Sequence, residues 1–348
     1  RFIFAFAILK YYYMKKIIKD INRVITSSKN IVITTHINPD GDAIGSELAL
    51  GRYLISLGKN VRILNHSKTP DYLSFMLNSE NEIKQFEQIS DTEHIQNADI
   101  IFVVDLNHLS RTKSLENFIR NSNATKVCID HHEYPEKFSN LSIIETSSSS
   151  TGEILYQFLK ANNCKINYDI ALPLYVAIMT DTGSFKDERS TTVLHRIIAK
   201  LLEAGVVPIK VHQEIYEQGS ANRIKLLGRA FNSLTIEENG RVAYMKISTK
   251  DLEETNSSEE DVEGFVNYTL SIKGVEIGMF FFELENGFKI SFRSGSVVPV
   301  NKLAYEFNGG GHFFAAGARI ENKDMNKTIP QIIEKAIEYS RTYSNKGE

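Results

Sequence analysis

The chain has 348 residues, 42% of them hydrophobic and 24% charged, with a formal net charge of -3. That is enough to bury a large core, and at the usual ~100 to 200 residues per domain it predicts two domains. The negative balance argues against tight non-specific binding to long nucleic acid, whose affinity comes from neutralising many phosphates at once, and it leaves short anionic ligands open.

The chain opens on RFIFAFAILKYYY, and its first methionine is Met14, followed by the amphipathic stretch KKIIKDINRVI. A native start at Met14 is expected. A signal peptide is the alternative, but the apolar core Phe2 to Leu9 is short, only Arg1 precedes it, and no small-residue cleavage site follows. No other segment approaches the ~18 uninterrupted apolar residues of a membrane span.

From residue 31 onward, short β-branched runs alternate with helical stretches. The runs are IVITT, VRIL, IIFVV at 100–104, KVCI at 126–129 and SIIE at 142–145, and the first helix is AIGSELALGRYLISLG. This alternation predicts an α/β unit with a mostly parallel sheet covered on both faces. Ser150 to Glu153 has capping-box spacing before Ile154, Leu155, Phe158 and Leu159, and further helix extends to about residue 217. A linker near Gln218-Gly219-Ser220 then leads into the helix NRIKLLGRAFNSL and the strand RVAYMKIS. The runs VEIGMFFFEL and FKISFRS flank Glu285-Asn286-Gly287, a hairpin signal, because Asn-Gly tolerates positive φ. A closing helix over about 328–343 completes a smaller α+β unit. Cys128 and Cys164 are the two cysteines, too few for a disulfide framework and set in apolar surroundings, so a reduced chain in the cytoplasm is expected.

Ligands of open α/β sheets bind beyond the carboxyl ends of the strands. There IVITT delivers His36, Asp40 and Asp42, IIFVV delivers Asp105, KVCI delivers Asp130, His131 and His132, and the helix ALPLYVAIM delivers Asp181. Singly, an aspartate after a strand reads as a turn residue or helix cap, and paired histidines read as members of a hydrogen-bond network. Four such clusters at one end of one sheet point instead to a metal centre. Carboxylates and imidazoles without thiolate suit manganese, magnesium or iron better than structural zinc, and there are more ligands than one ion requires. Two ions sharing a carboxylate, ~3.5 to 4 Å apart, would clamp the oxygens of a phosphoryl transfer and bring the pKa of a water toward ~7.

His36-Ile37-Asn38-Pro39-Asp40-Gly41-Asp42-Ala43-Ile44-Gly45-Ser46, Asp105, Asp130-His131-His132 and Asp181 resemble the successive motifs of the DHH phosphoesterases. Gly309-Gly310-Gly311-His312 with Ala315-Ala316-Gly317 resembles the glycine-rich motif of the associated DHHA1 domain. The resemblance spans nearly all of residues 20 to 345 and is most similar to the branch of bifunctional oligoribonucleases and pAp phosphatases. It implies a DHH catalytic domain over 14–217, a linker over 218–230 and a DHHA1 substrate-binding domain over 231–345. It places one divalent ion on His36, Asp40 and Asp105 and a second on Asp42, Asp105, His131 and Asp181. Manganese is the expected cofactor, with magnesium as the alternative. His132 would lie beside the scissile phosphate, Asp130 would orient His131, and Asp105 would bridge the ions. Arg293 and His312, with Gly310 and Gly311, would hold substrate phosphate or sugar, since glycines let backbone N–H groups approach an anion. Arg111 is a further phosphate-binding candidate. Phe313 and Phe314 stand where more polar residues are common in the family.

The implied activity is hydrolysis of short oligoribonucleotides, dinucleotides and pAp, with no long duplex and no membrane as partner; a homodimer is compatible with it. A cyclic di-AMP or pApA phosphodiesterase is the alternative within the same chemistry, and a metal-dependent nucleotide sensor is the alternative outside catalysis. The complete set Asp42, Asp105 and Asp181 opposes the sensor. The GGGH motif opposes a manganese pyrophosphatase, whose second domain is of another type. A compact, mildly acidic chain does not suit a long-strand exonuclease.

Overall fold

The structure is a computed structural model describing residues 2–295 and 297–344, with side chains over 14–343 apart from 296; the expected domain limit at 345 lies outside the described residues. The chain divides into two compact units, 1–218 and 219–348.

The strands of the first unit are β1 (Asn30–Thr34), β2 (Asn60–Asn65), β3 (Ile83–Gln85), β4 (Ile100–Val104), β5 (Thr125–Asp130) and β6 (Leu141–Ile144). Its helices are α1 (Phe2–Ser27), α2 (Gly41–Ser56), α3 (Gln88–Gln96), α4 (Glu116–Asn121), α5 (Thr151–Ala161), α6 (Tyr168–Asp181), α7 (Thr192–Glu203) and α8 (Pro208–Tyr216). All strand pairs are parallel, in the order β3-β2-β1-β4-β5-β6. The chain builds outward from β1 to β3, then returns to the other side of β1 with β4. The β1/β4 boundary is therefore the point where loops diverge to opposite faces and leave a crevice.

Both faces of this sheet are covered, because successive side chains on a strand point to opposite sides. Ile31 and Ile33 of β1 and Ile100, Phe102 and Val104 of β4 join a core with α1, α2, α5, α6 and α7. Val32, Ile101 and Val103 join a second core with Ile95 of α3 and Ile119 of α4. The continuous apolar runs of β1 and β4 are thus doubly buried strands. β3 has no run of its own in the sequence, since of its three residues only Ile83 is buried. Helix α1 is longer than the stretch after Met14, and Ile17, Ile21 and Ile25, spaced four apart, turn one face into the core.

The second unit contains α9 (Ala221–Asn232), β7 (Thr235–Glu237), β8 (Val242–Ile247), α10 (Thr249–Thr255), β9 (Ile277–Leu284), β10 (Gly287–Ser294), α11 (Val300–Tyr305), β11 (Gly310–Gly311), β12 (Ala315–Glu321) and α12 (Met325–Ser344). Its sheet is mixed, in the order β11-β12-β10-β9-β8-β7. The expected linker 218–230 is mostly helix: Ser220 caps α9, and Leu226 and Ala230 are buried against β8 and β9, so the connection shrinks to residues near 218–220. The hairpin at Glu285-Asn286 forms as its sequence requires, with Gly287 at φ 110°. A Cβ there would lie 1.9 Å from the Ile320 carbonyl oxygen, so glycine is demanded twice over. Among the described residues, no helix is long and apolar enough to cross a membrane.

Helices α2, α5 and α6 meet through glycine. A Cβ on Gly45 would stand 2.3 Å from the Pro173 carbonyl oxygen and 3.0 Å from Ala177, and one on Gly152 would stand 2.5 Å from Ala177. A helical Gly→Ala change ordinarily gains about 1 kcal/mol of propensity. Overpacking against a rigid backbone costs about 1 to 3 kcal/mol and decides the sign here. Gly45→Ala is expected to lower the melting temperature by several degrees in a thermal scan; an unchanged or raised value would show that α2 and α6 can part freely.

Candidate metal centre

The residues beyond β1 divide between two roles. His36 is buried, and its Nδ1 lies 2.8 Å from the Ile37 carbonyl oxygen while its Nε2 faces Asp105 Oδ2 at 3.5 Å. Nδ1–H therefore donates to the backbone, and the Nε2 lone pair is turned inward, the tautomer a metal ligand needs. Asp40 caps α2, its Oδ1 accepting the N–H groups of Asp42 and Ala43, both at 3.1 Å. Asp42, two residues further on, is buried.

The α5 N-terminus holds that buried carboxylate. Asp42 Oδ2 accepts the Thr151 N–H at 2.7 Å, and Oδ1 accepts the Gly152 N–H at 2.9 Å. The Thr151 hydroxyl donates to Asp105 Oδ1 at 3.0 Å, so one helix start grips carboxylates from two other elements. The capping pattern itself is present in a shifted form, with Ser150 Oγ accepting the Glu153 N–H and the Glu153 side chain accepting from Ser149 rather than Ser150.

Asp105 follows β4 at φ 58°, a left-handed conformation uncommon outside glycine and worth noting at a functional position. Its backbone N–H still pairs with the Ile129 carbonyl across the sheet, so the turn is confined to one residue and swings the carboxylate into the crevice. After β5, the backbone carries Asp130 and His132 to one side and His131 to the other. His131 Nε2 lies 3.8, 3.7 and 3.5 Å from oxygens of Asp42, Asp105 and Asp181. Asp130 Oδ1 instead accepts from His132 Nδ1 at 2.7 Å. The expected pairing of Asp130 with His131 is therefore corrected to His132, because residues two apart on an extended chain share a face.

Three overlapping groups could each hold an ion: His36, Asp40 and Asp105; Asp42, His131 and Asp181; and Asp105, His131 and His132. The donor set fits a hard divalent cation. Among the described residues, Asp130 Oδ2 and Asp181 Oδ2 are buried oxygens with no hydrogen-bond partner, atoms that a cation or its bound waters would satisfy. Electrostatics agree. Burial first, and then the neighbouring carboxylates, hold the Asp42 and Asp105 acids well above the usual carboxylate range. Burial and then Asp40 push Asp181 up to about 6. Burial, with His132 beside it, pushes His131 down to about 4, and burial also lowers His36. Crowded, buried acids and neutral imidazoles make a cluster whose ionisation calls for compensating positive charge, which a dication would supply.

Arg111 is near this cluster: its charge lowers the pKa of His36, and its carbonyl oxygen accepts the Ile37 N–H at 2.8 Å. Arg293, Gly310, Gly311 and His312 all lie in the second unit, on β10 and on the turn from β11 to β12. Arg293 on β10 pairs with Ala315, and β11 pairs with β12 through Gly310–Gly317 and Gly311–Ala316. Half-buried Arg293 lines a cavity of about 590 Å³ with Lys289, Ser291, Phe280 and Phe282. His312 and Ala315 exchange backbone hydrogen bonds, which places exposed Phe313 and Phe314 at the tip of a tight turn. Gly309 and Gly311 serve strand pairing, since a Cβ on either would meet β12 backbone within 2.6 Å, while Gly310 faces open space.

Sequence reasoning missed three supports. Thr151 was legible only as part of a cap. Glu47 is buried, with a pKa raised to about 8 by burial; its carboxyl accepts from Asn65 Nδ2 at 2.8 Å, and Asn65 Oδ1 accepts the Thr35 N–H at 3.3 Å, so the pair steadies the backbone just before His36. Arg189, in the loop after α6, brings Nη1 to 3.4 Å from His131 Nδ1, and no spacing in the sequence signals it.

A model of the DHH family, N-terminal domain, matches residues 30–178, and a model of the DHHA1 domain matches residues 239–340. A solved structure described as an exopolyphosphatase-related protein from Bacteroides fragilis is 31% identical and superposes with a TM-score of 0.89, over 94% of this chain and 97% of its own. The chain belongs to the DHH family. Two curated DHH relatives, from Thermus thermophilus and Bacillus subtilis, are each named bifunctional oligoribonuclease and PAP phosphatase NrnA. Each is 28% identical, over 306 and 305 residues, covering 87% of this chain and 88% and 93% of their own lengths.

Because the acids must lose protons to take a cation, metal affinity is tied to pH. His131, neutral above about pH 4, sets no barrier in the upper range, whereas Asp181, titrating at about 6, does, as do Asp42 and Asp105, held well above the usual carboxylate range. Divalent-cation affinity of this DHH-family chain, read with manganese as the probe, is expected to rise as pH increases from 5 through 7, with protons released on binding. Calorimetry in buffers of different ionisation enthalpy checks this; a pH-independent affinity would contradict it.

Proposed function

We propose that this chain, a phosphoester hydrolase of the DHH family, holds two divalent cations, manganese by preference, and cleaves short oligoribonucleotides and pAp. One ion would sit on His36, Asp40 and Asp105, the other on Asp42, Asp105, His131 and Asp181. The observation that carries the reading is the position of Asp105, whose Oδ2 lies 3.5 Å from His36 Nε2 and whose Oδ1 lies 3.7 Å from His131 Nε2. One carboxylate serves both halves. When bound, such a pair of cations would polarise the phosphate and lower the pKa of a water.

The protein's own groups supply the rest. The hydrogen bond from His132 Nδ1 to Asp130 fixes the ring and supports its imidazolium form, whose Nε2–H would donate to a phosphate oxygen or pass its proton to the leaving oxygen, returning the ring to neutral. Arg293 and His312, with Gly310 and Gly311, are assigned to substrate binding, as is Arg111 beside His36. The substrate class follows the two named relatives and the net charge of -3, which favours short anions over long strands. A cytoplasmic setting belongs to the same reading, since Cys128 is a buried free thiol whose pKa burial raises.

Incubation with manganese and pAp, pApA, cyclic di-AMP, pyrophosphate and labelled RNAs of about two to twenty nucleotides tests the proposal. RNAs of roughly five nucleotides or fewer and pAp are expected to be consumed fastest. Equal, processive shortening of the longest strand would overturn the length preference, and faster cleavage of cyclic di-AMP would transfer the assignment to that substrate. Asp105→Asn is expected to lower turnover by roughly a thousandfold or more while the circular dichroism spectrum is kept, the scale of losing charge placed at the transition state. Near wild-type turnover in this variant would rule out the shared carboxylate.

A further inference from the structure

Arg189 lies between α6 and α7 with its side chain about one-third exposed, at 33%. Asp187 holds it: Oδ1 accepts the Arg189 backbone N–H at 2.7 Å and Nε–H at 2.9 Å, and Oδ2 accepts from Nη2 at 3.2 Å. The fork fixes the plane of the guanidinium and leaves Nη1 directed at the metal-ligand cluster. There Nη1 has two long contacts, to His131 Nδ1 at 3.4 Å and to the Ser148 carbonyl oxygen at 3.5 Å.

The tautomer of His131 decides what those contacts are worth. Its Nε2 faces three carboxylates, and Nδ1–H donates to the Ser148 carbonyl. Arg189 Nη1 therefore meets a donor on the ring and shares a single carbonyl with it. One Nη1–H thus has only a long, shared carbonyl, and among the described residues the other has no acceptor, at the rim of the cluster. An oxygen of a bound anion would supply one.

Charge requires the same thing. Asp40, Asp42, Asp105, Asp130 and Asp181 converge here, so two dications leave little positive charge for an incoming phosphate. Arg111 stands on the His36 side and Arg189 on the His131 side, one guanidinium for each half. We propose that Arg189, locked by Asp187, binds a phosphate oxygen of the substrate at the His131 half of the centre, a substrate-binding group supplied by the first unit. This rests on the phosphoester reading above.

The test compares full-length wild type with Arg189→Gln and Arg189→Lys. Manganese binding, inorganic phosphate binding to the manganese-loaded protein, and turnover of pAp and pApA are each measured. Manganese affinity is expected to stay within about twofold, while Arg189→Gln weakens phosphate binding by roughly ten- to a hundredfold, the loss of one charge-assisted contact. Arg189→Lys should recover only part of it, since an ammonium cannot reproduce the Asp187 fork. Unchanged phosphate affinity in Arg189→Gln would overturn the proposal. So would a loss of manganese binding as large as the loss of phosphate binding in both variants, because Arg189 would then merely hold His131. A wild type that binds phosphate through Arg189 yet cleaves none of the nucleotides would sink the substrate assignment and leave this one standing.

Discussion

The seat of Asp42 on the first two backbone N–H groups of α5 is the contact on which the first unit's site depends. A carboxylate withdrawn from water is costly unless donors meet it, and a helix start offers such donors with a favourable dipole. Both helices reach this contact by packing closer to α6 than side chains normally allow, Gly45 of α2 against Pro173 and Ala177 and Gly152 of α5 against Ala177. The same packing delivers Asp181 from the end of α6 to the cluster. Ligand geometry and helix packing are thus one arrangement.

Strand order supplies the second constraint. Because the chain returns from β3 to the far side of β1, the ends of β1, β4 and β5 lie side by side under diverging loops. Asp105 takes a left-handed turn there rather than continuing β4, and the cost is borne by the flanking sheet hydrogen bonds. The second unit builds differently, around a mixed sheet whose β9–β10 hairpin and glycine-rich β11 bring Arg293 near the turn that carries His312.

Much of this was legible in the sequence because it is written locally. IIFVV matches β4 residue for residue, IVITT and SIIE are each displaced by one residue, and His36, Asp40, Asp42, Asp105 and the 130–132 triplet sit at strand ends where apolar runs stop. What escaped depends on contacts between distant residues. Asp42 and Thr151 are 109 positions apart, and no local pattern announces that one accepts from the other. The partner of Asp130 needed the direction of an extended backbone, and Arg189 needed the path of the loop after α6. The thirteen-residue linker dissolved into α9 because its apolar residues, Leu226 and Ala230, pack on the second sheet.

The burial of Asp42 and Asp105 has a consequence for the cell's economy of ions. Carboxylic acids whose pKa is raised in the folded state oppose folding once the pH is high enough to ionise them in the unfolded chain, and a bound cation that needs them ionised relieves this opposition. With a cation bound there, the population of folded chains would follow divalent-ion supply as well as temperature. Scarcity of the ion would be felt first as a shorter lifetime of the protein, through the proteases that remove unfolded chains, and not only as a slower reaction.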